Sequence, residues 1–191
     1  KEKRVVLCFF GDGATNQGVY HESLNMSALY RLPIVWVCEN NQYAISEPTA
    51  KEMPVKNVAD RAPAYGIPGV IVDGNDVLEV YRVMRDAVER ARRGQGATLV
   101  EAKTYRPVPH SSDDDDRTYR SREEVNEWKK KDPILLMRQY LHSVGLMNDA
   151  QAQEYETRAK QAVDDANEFA RNAPYPAAEA ALENVWGELP K

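Results

Sequence analysis

Four short apolar runs recur along the chain, and longer segments with helical patterns separate them. The runs cover residues 5–10, 34–38, 70–72 and 98–102. Short runs that are almost continuously apolar are typical of strands covered on both faces of a parallel sheet, and we expect the first to be a central strand. Because such strands alternate with helices here, we predict an α/β fold, a parallel sheet with helices on both faces.

Helical patterns fill the segments between these strands and most of the chain beyond them. The clearest pattern begins after Asp76, which with Glu79 resembles a capping box, and it ends at Gly94. Its apolar residues recur at intervals of three and four positions: Val77, Val80, Tyr81, Met84, Val88 and Ala91. The other predicted helices are 17–30, 57–65, 121–128, 133–144 and 148–172. Residues 47–54 and 106–120 are predicted to be loops.

Length and composition bound the class of protein. A chain of 191 residues can bury a sizeable core. We assign an α/β domain to residues 1–120 and a helical C-terminal extension, packed on that domain, to residues 121–191, with Val185 and Trp186 as its last expected anchors. The net charge of −5 argues against nucleic-acid binding. The sequence has no apolar run long enough to predict a membrane-spanning helix, so no membrane partner is expected.

The two cysteines and the start of the chain give further expectations. Cys8 and Cys38 both fall in predicted buried strands. We interpret them as reduced core residues rather than a disulfide or metal pair, which suits a reducing compartment. No signal-peptide pattern follows Lys1, and the first predicted strand begins almost at once. We therefore expect the chain to begin late within a longer protein.

The segment from Gly11 to Asn41 carries the first candidate site. Together with the strand predicted at 4–10, which runs into Gly11, it predicts a unit of strand, Gly-rich turn, helix and second strand, with Asp12 at the tip of the first strand. Flanking glycines let backbone approach a ligand closely, and the amides that open the helix favour phosphate. Asp12 would repel phosphate unless a cation lay between them, and Mg²⁺ commonly shares its ligands between a carboxylate and phosphates. Asn41 ends the next strand and so reaches the same edge of the sheet.

These residues resemble a known motif. Gly-Asp-Gly at 11–13, followed by Asn40-Asn41, is similar to the thiamine diphosphate motif. The match extends over further residues: Gly18, Glu22, Asn25, 32–33 and 39–46. Together they resemble the E1 α subunit of 2-oxo acid dehydrogenase complexes, and the segment 43–46 leans toward the branched-chain type. The resemblance covers nearly the whole chain, but only the second part of the family's subunit. It implies the thiamine diphosphate-binding α/β fold.

The resemblance implies a set of site residues. Mg²⁺ would be held by Asp12, Asn41 and the carbonyl of Tyr43. Residues that would contact or lie beside thiamine diphosphate are Asp12, Gly13, Ala14, Glu39, Asn41 and His110. The helix at 17–30 would present a face to other subunits, and the alternative is an ordinary solvent-exposed face.

His110 is the second candidate. It lies on the loop after the fourth predicted strand, whose carboxyl end faces the same crevice as Asp12 and Asn41. His21 and His142 lie on predicted helices, where structural and surface roles are expected. In the E1 α family a histidine on this loop lies beside the cofactor, and the resemblance implies that His110 takes part in acyl transfer to lipoamide. Imidazole suits the proton movements of that step because it titrates near neutral pH.

Other residues of this loop bear on whether the loop is structurally ordered. The match to the family comprises Tyr105-Arg106, His110-Ser111, 113–116 and Tyr119-Arg120. The serine at the position of Ser111 is a phosphorylation site in animal members, and Pro109 departs from the His or Gly found there in others. The four aspartates at 113–116 are typical of a solvated acidic loop. In the alternative interpretation they pair with arginines and order the loop when cofactor is bound: Arg117, Arg120 and Arg122.

The resemblance implies the E1 α activity, which is decarboxylation of a 2-oxo acid and acyl transfer to the lipoyl group of an E2 acyltransferase. A branched-chain 2-oxo acid is favoured, with pyruvate or acetoin as alternatives. An E1 β subunit would complete the site in an α2β2 heterotetramer. Two rival hypotheses are a transketolase-like thiamine enzyme, which the loop at 105–120 disfavours, and an inactive partner subunit, which the intact Asp12, Asn41 and His110 disfavour. The expected location is bacterial cytoplasm, or the mitochondrial matrix in a eukaryote.

Overall fold

The sheet at the centre of the chain has four parallel strands. The computed structural model describes residues 3–183. The strands of the sheet are β1 (Val6–Gly11), β2 (Ile34–Asn40), β5 (Gly69–Asp73) and β6 (Thr98–Lys103), in the spatial order β1, β2, β6, β5. Between β2 and β5 the chain forms a short antiparallel hairpin of β3 (Tyr43–Ala44) and β4 (Glu47–Pro48). The predicted α/β class with a parallel sheet is confirmed.

Helices connect and follow the strands. Within the described residues they are α1 (Gly18–Leu29), α2 (Thr49–Glu52), α3 (Val77–Arg92), α4 (Arg122–Lys129), α5 (Pro133–Ser143) and α6 (Asp149–Asn172). Four 3₁₀ segments accompany them: Asp12–Asn16, Val58–Tyr65, Asp116–Thr118 and Ala178–Leu182. Asp76 caps α3 by accepting hydrogen bonds from the amides of Leu78 and Glu79, but its own amide donates to the carbonyl of Asp73, so the predicted capping box with Glu79 forms only in part.

Successive side chains along β2 and β6 point to opposite faces of the sheet, so the core has two layers. Trp36, Cys38 and Leu99 point to the face covered by α1 and the 3₁₀ segment Val58–Tyr65. Val35, Val37 and Val100 point to the opposite face, where they pack with α3. Each such side chain contributes about 1.5–3 kcal/mol when it is fully buried. Both faces of these two strands are therefore covered by helical segments.

The first strand differs from its prediction. β1 lies at an edge of the described sheet and pairs with β2 on one side. Cys8 and Phe10 pack against the layer under α1, whereas Leu7 and Phe9, on the other face, are 44% and 58% exposed. The expectation of a central strand covered on both faces is thus wrong for the described residues, because α3 packs mainly over β2, β5 and β6 and leaves Leu7 and Phe9 of β1 exposed. Cys8 is half-buried, and both cysteines are free thiols.

Two further segments refine the predictions. The predicted loop 47–54 contains β4 and α2, so that prediction is wrong in part. The predicted helix 57–65 is a 3₁₀ segment with a reciprocal capping box between Asn57 and Asp60. The long C-terminal helix begins after Asn148, which forms a capping box of the same kind with Gln151.

No helix in residues 3–183 is long and apolar enough to cross a membrane.

The chain divides into two compact units. The first comprises residues 1–140 and the second residues 141–191, each described within the limits of 3–183. The first unit contains the whole sheet, and the second contains α6. The domain boundary at 120/121 and the packing of a C-terminal extension on the sheet domain stay predictions. Val185 and Trp186 lie outside the described residues.

Candidate cofactor and metal site

Asp12 and Asn41 lie at the same edge of the sheet. Asp12 directly follows β1, and Asn41 directly follows the neighbouring strand β2. The strands pair in parallel with Gly11 opposite Glu39, so their carboxyl ends coincide. In open α/β sheets, ligands bind at that edge. The structure therefore places Asp12 and Asn41 on adjoining turns, as the sequence predicts.

Gly13 brings the turn after β1 against the β3–β4 hairpin. A Cβ added at Gly13 would lie 2.6 Å from the Cβ of Ala44, a separation that side chains do not tolerate. Glycine is thus required for this contact. Gly13 is half-buried and Ala14 is exposed, and both stand in the first turn of the segment Asp12–Asn16. Amides in the first turn of a helical segment have no acceptor within it, which leaves them for a ligand.

The turn between β2 and β3 has an uncommon backbone. Gln42 in this turn has φ 74°, and Ile45 in the turn of the β3–β4 hairpin has φ 54°, values that cost non-glycine residues on the order of 1 kcal/mol or more. The amide of Tyr43 donates to Oδ1 of Asn41 at 3.2 Å, and this bond closes the turn around Gln42. The Tyr43 carbonyl accepts from Nη1 of Arg106 at 3.4 Å. Asn41 and Tyr43 therefore flank one strained residue and lie on the turn that meets Gly13.

A buried hydrogen-bond chain stands behind Asp12. The Thr49 hydroxyl donates to Oδ2 of Asp12 at 2.7 Å and lies 3.3 Å from Oδ1 of Asn40. Nδ2 of Asn40 donates to Oε1 of Glu101 at 2.8 Å, and Oε2 of Glu101 accepts from the amide of Ala59 at 2.9 Å. Asp12 and Asn40 are each 1% exposed and Glu101 is fully buried. We refer to Asp12, Thr49, Asn40 and Glu101 as the buried network.

Three members of the buried network were not among the predicted site residues. Asn40 belongs to the Asn pair of the motif, but only Asn41 was assigned a role. Glu101 carries a sequence signal, because a charged residue inside the apolar run of β6 needs a buried partner. Thr49 carries none, since its partner Asp12 is 37 residues away.

Two carboxylates at this edge, those of Asp12 and Glu52, have no paired cation among the described residues. Oε2 of Glu52 is buried and has no hydrogen-bond partner among the described residues. Burial raises the pKa of Glu52, and the charges of Asp12 and Glu47 raise it further. Within residues 3–183 neither Asp12 nor Glu52 forms an ion pair. A buried carboxylate without a cation is costly, so the edge favours a bound cation.

The predicted donor set fits a hard divalent cation. It combines one carboxylate, Asp12, with the amide oxygen of Asn41 and the carbonyl of Tyr43. Mg²⁺ prefers oxygen ligands and typically takes only one or two carboxylates, with phosphates and water completing its shell. In the described part of the chain no three His, Cys, Asp or Glu side chains form a metal cluster. A single-carboxylate set of this kind does not depend on such a cluster.

The candidate Glu39 and the histidine expected to be structural, His21, lie apart from the buried network. Glu39 is exposed near the end of β2, opposite Gly11 of β1 and Ala102 of β6. His21 is hydrogen-bonded through Nδ1 to the Tyr65 hydroxyl and packs edge-on against Tyr20. These contacts are those of a structural histidine, as the sequence suggests. Glu39 stays a predicted cofactor contact.

His110 lies on an exposed loop that follows β6. Residues 106–120 are called the His110 loop below. The amide of His110 donates to Oδ2 of Asp114 at 2.8 Å, and the hydroxyl of Ser111 donates to Oδ1 of Asp113 at 2.7 Å. These described contacts stay within the loop, and none joins His110 to Asp12 or Asn41. The predicted catalytic role of His110 therefore stays a prediction.

A buried arginine holds the base of the His110 loop. The Arg120 guanidinium is fully buried, donates to Oδ2 of Asp116 at 2.7 and 2.9 Å, and also donates to the carbonyl of Val108. Its carbon Cζ lies 5.3–5.9 Å from the centroids of three aromatic rings: Tyr43, Tyr105 and Tyr119. Such cation–π contacts stabilise a desolvated guanidinium. One residue thus connects the loop with the Tyr43 turn.

The four aspartates divide between the two interpretations. Asp116 is buried and pairs with Arg120 and Arg122, as the pairing hypothesis requires. The hydrogen bond from Arg122, together with the charge of Arg120, lowers the pKa of Asp116. Asp115 pairs with Arg117 on the surface, where ion pairs contribute little. The predicted pairs with arginine are therefore present for Asp115 and Asp116, and ordering of the loop by bound cofactor stays a prediction.

Glu124 of α4 completes this anchoring. The hydroxyls of Tyr43 and Tyr105 both donate to its Oε1, each at 2.9 Å. Burial raises the pKa of Tyr43, and the hydrogen bond to Glu124 raises it further, so the phenol stays a donor. Trp128 of α4 stacks on Tyr105 with the ring centroids 5.2 Å apart. The turn that carries Tyr43 is therefore held from two sides.

The fold and the site together define a class of protein. A parallel sheet whose carboxyl edge carries a buried aspartate, a Gly-Asp-Gly turn and an adjoining asparagine turn has the features of a diphosphate-and-cation site. The chain matches the family of the dehydrogenase E1 component over residues 1–179. It belongs to that family, whose members are in general thiamine diphosphate-dependent.

Individual relatives are similar over almost the whole chain. The 2-oxoisovalerate dehydrogenase subunit alpha of Bacillus subtilis is 49% identical over 189 residues, which are 98% of this chain and 57% of the relative. The 3-methyl-2-oxobutanoate dehydrogenase subunit alpha of Mycobacterium tuberculosis is 42% identical, and the pyruvate dehydrogenase E1 component subunit alpha of Staphylococcus aureus is 39% identical. Both matches cover 98% of this chain and 51% of the relative. The chain thus spans about half the length of these relatives.

Proposed function

We propose that the protein containing this chain is the α subunit of a thiamine diphosphate-dependent E1 component. It decarboxylates a branched-chain 2-oxo acid and transfers the acyl group to the lipoyl group of an E2 acyltransferase. The observation that carries the proposal is the buried Asp12 carboxylate, unpaired with any cation within residues 3–183 and adjoining the Gly13 and Asn41 turns. Membership of the dehydrogenase E1 family supports the same function.

The residues at the sheet edge have distinct proposed roles. Asp12, Asn41 and the Tyr43 carbonyl hold Mg²⁺, and the amides of Gly13 and Ala14 bind the diphosphate. When bound, thiamine diphosphate supplies the electron sink that makes loss of carbon dioxide possible. Glu39 lies beside the cofactor, and His110 holds or moves a proton at its imidazole during acyl transfer. The residues of this chain therefore bind and orient the cofactor and its metal ion, and they hold or move a proton during acyl transfer.

The partners follow from the same assignment. The relatives are named as alpha subunits, and this supports an E1 β partner in an α2β2 heterotetramer, together with E2. The outward face of α1 suits such an assembly, because Val19, Met26 and Leu29 are all exposed. The β subunit completes the cofactor site. The proposed location is bacterial cytoplasm, or the mitochondrial matrix in a eukaryote.

A branched-chain substrate is preferred over pyruvate. The 49% and 42% identical relatives are named for 2-oxoisovalerate and 3-methyl-2-oxobutanoate, and a 39% identical relative is named for pyruvate. The two kinds of substrate differ by two methyl groups. A pocket that fits one additional apolar group typically discriminates by about 10- to 200-fold.

Turnover of competing 2-oxo acids tests this function. The full-length α subunit is combined with its β partner and E2, and kcat/KM is measured for 3-methyl-2-oxobutanoate and for pyruvate. We expect at least about tenfold higher kcat/KM with the branched substrate. Faster turnover of pyruvate would favour the pyruvate dehydrogenase alternative. No turnover of either acid by a complex that binds cofactor would favour an inactive partner subunit.

A further inference from the structure

We propose that Thr49 and Glu101 are positioning residues that aim the metal-binding oxygens of two neighbouring strands. This inference rests on the proposed function, in which Asp12, Asn41 and Tyr43 hold Mg²⁺. Neither residue belongs to that donor set. They act through hydrogen bonds in the buried network. In each of these bonds the chemistry of the two groups determines which one is the donor and which the acceptor.

The first step is the orientation of the Asn40 amide. A carboxylate that accepts from the Ala59 amide and faces Lys103 offers acceptors to Asn40, so the NH₂ group of Asn40 faces Glu101, in agreement with the 2.8 Å contact from Nδ2 to Oε1. The other carboxylate oxygen is held by the amide of Ala59, and Lys103 Nζ lies 3.4 Å from Oε1. Glu101 is therefore fixed from several sides, and it leaves Oδ1 of Asn40 directed away from β6.

The second step is the direction of the Thr49 proton. A threonine hydroxyl has one proton, and here two acceptors surround it: Oδ2 of Asp12 at 2.7 Å and Oδ1 of Asn40 at 3.3 Å. The shorter, charge-assisted bond takes the proton, so Thr49 donates to Asp12. This bond fixes the carboxylate of Asp12 through one oxygen and leaves the other oxygen for a cation.

The third step reaches the neighbouring turn. Oδ1 of Asn40 also accepts from the amide of Gln42 at 3.1 Å. Gln42 is the residue with φ 74° that lies between Asn41 and Tyr43. Holding its amide stabilises the strained turn and thereby the directions of the two flanking donors. Glu101 on β6 thus orients the donors that follow β2, while Thr49 orients the carboxylate that follows β1.

Thr49 has no competing local role that explains its hydroxyl. It is the first residue of the four-residue helix α2, whose cap is Pro48 without a side-chain hydrogen bond. The Thr49 hydroxyl contacts acceptors outside that helix, on the turn after β1 and at the end of β2. The contact is therefore directed at the site and does not stabilise α2.

A pair of substitutions at Thr49 tests the inference. Thr49→Val removes the hydroxyl and keeps the shape, whereas Thr49→Ser keeps the hydroxyl. Each variant is made in the full-length α chain with its β partner, and the affinities for Mg²⁺ and for Ca²⁺ are measured calorimetrically with saturating thiamine diphosphate. We expect Thr49→Val to weaken Mg²⁺ binding about tenfold and Thr49→Ser to stay within about twofold of the wild type.

The comparison of metals separates positioning from packing. Mg²⁺ demands closely defined ligand geometry, whereas Ca²⁺ accepts flexible shells. Thr49→Val should therefore weaken Ca²⁺ binding less than about threefold, and the ratio of the two affinities should shift. Unchanged Mg²⁺ affinity in Thr49→Val would overturn the inference. Equal losses in the Val and Ser variants, or equal losses for the two metals, would overturn it too.

A second substitution tests the far end of the network. In Glu101→Gln the side-chain amide must direct its NH₂ group toward either the Asn40 amide or the Ala59 N–H, and in both cases a donor meets a donor. We expect weaker Mg²⁺ binding with the same change in metal preference. A folded Glu101→Gln variant with wild-type Mg²⁺ affinity would exclude Glu101 from the positioning role. If Glu101→Gln does not fold, the Thr49→Val and Thr49→Ser variants test the inference. A wild-type complex that binds neither metal nor cofactor would refute the proposed function itself.

Discussion

The buried network around Asp12 and the His110 loop hold their polar groups in different ways. The network joins the turn after β1 to α2, and β2 to β6, through hydrogen bonds that span 37 to 61 residues of sequence. In the His110 loop, Asp114, Asp116 and Arg120 bond mostly to residues within fifteen positions of themselves. The sheet thus fixes one set of groups, whereas local pairing, together with the bond from Arg106 to the Tyr43 carbonyl, fixes the other.

The difference follows from what each region must do. Metal donors need a fixed geometry, which a close-packed sheet edge supplies. A residue that moves a proton must approach a large incoming substrate, which an exposed loop on a rigid base allows. The His110 loop has such a base in Arg120, which is buried against tyrosines, while His110 itself stays exposed. Rigidity is therefore expected at the edge and at the foot of the loop, but not at its tip.

Removing the Asp12 carboxylate should have the largest effect. Asp12→Ala takes away the single carboxylate of the proposed donor set and leaves Thr49 without its acceptor. We expect loss of measurable Mg²⁺-dependent thiamine diphosphate binding, because outer-shell changes alone cost 10- to 100-fold in metal affinity. Calorimetry on the full-length α and β subunits measures this. Wild-type affinity in the variant would show that Asp12 is not a ligand.

Removing the imidazole of His110 should affect a later step only. His110 has its described contact through the backbone amide, so His110→Ala keeps that contact. We expect normal folding and cofactor binding, with acyl transfer to lipoamide slowed by about 100-fold, as is typical of a lost acid–base group. Single-turnover transfer to a lipoyl domain measures this step. Normal overall flux in the reconstituted complex would contradict the assigned role.

Breaking the buried pair at the foot of the loop should destabilise the protein. Arg120→Met leaves Asp116 without one of its two arginines and removes the cation from beneath the tyrosines. We expect a fall in Tm on the order of 5 °C. The matched control is Arg117→Met, which breaks the exposed pair with Asp115 and should change Tm by about 1 °C or less. Equal changes in both variants would contradict the distinction between buried and exposed pairs.

The Asp116–Arg120 pair also predicts how the stability of the folded chain depends on pH. The lowered pKa of Asp116 means that its pairing stabilises the folded chain above the usual pKa of an aspartate, about 4. This contribution is lost as pH falls through the lowered pKa. Arg120→Met should therefore differ from the wild type at pH 7, and the difference should shrink as Asp116 is protonated. A difference in Tm that does not change with pH would assign the effect to packing alone.

Neutralising Glu52 should have the smallest effect. Its pKa is raised by burial and by nearby negative charge, so the charged form is disfavoured in the folded chain. In metal-free protein, Glu52→Gln should raise Tm at pH 7 by on the order of 1 °C. Stability of the wild type gains as pH falls through the raised pKa, so the two curves should meet in acid. A wild type that stays less stable at every pH would contradict the electrostatic cause.

The sequence predicts one region better than the other. Asp12, Gly13 and Asn41 could be placed because strand order and sheet edges follow from apolar runs and turns. Thr49 and Glu101 could not be assigned, since their roles depend on the register of β6 beside β2 and on a hairpin that brings residue 49 back to residue 12. No local pattern encodes a contact of that separation.

The remaining differences have similar causes. The apolar run of β1 predicts that its side chains are buried, but it does not indicate which element packs against them. In the described residues Phe9 is exposed. Asp113, Asp114, Asp115 and Asp116 are alike in sequence, yet only Asp116 is buried. Which aspartate is buried depends on where the 3₁₀ segment Asp116–Thr118 places its side chain.

The central claim is that this sheet edge is a thiamine diphosphate and Mg²⁺ site that a β subunit completes. Calorimetric titration of thiamine diphosphate with Mg²⁺ into the full-length α subunit, with and without β, tests that claim directly. We predict tight binding when both subunits are present and none detectable with α alone. Tight binding by α alone would contradict a shared site and would favour a self-sufficient thiamine enzyme. No binding in either case would contradict the cofactor assignment.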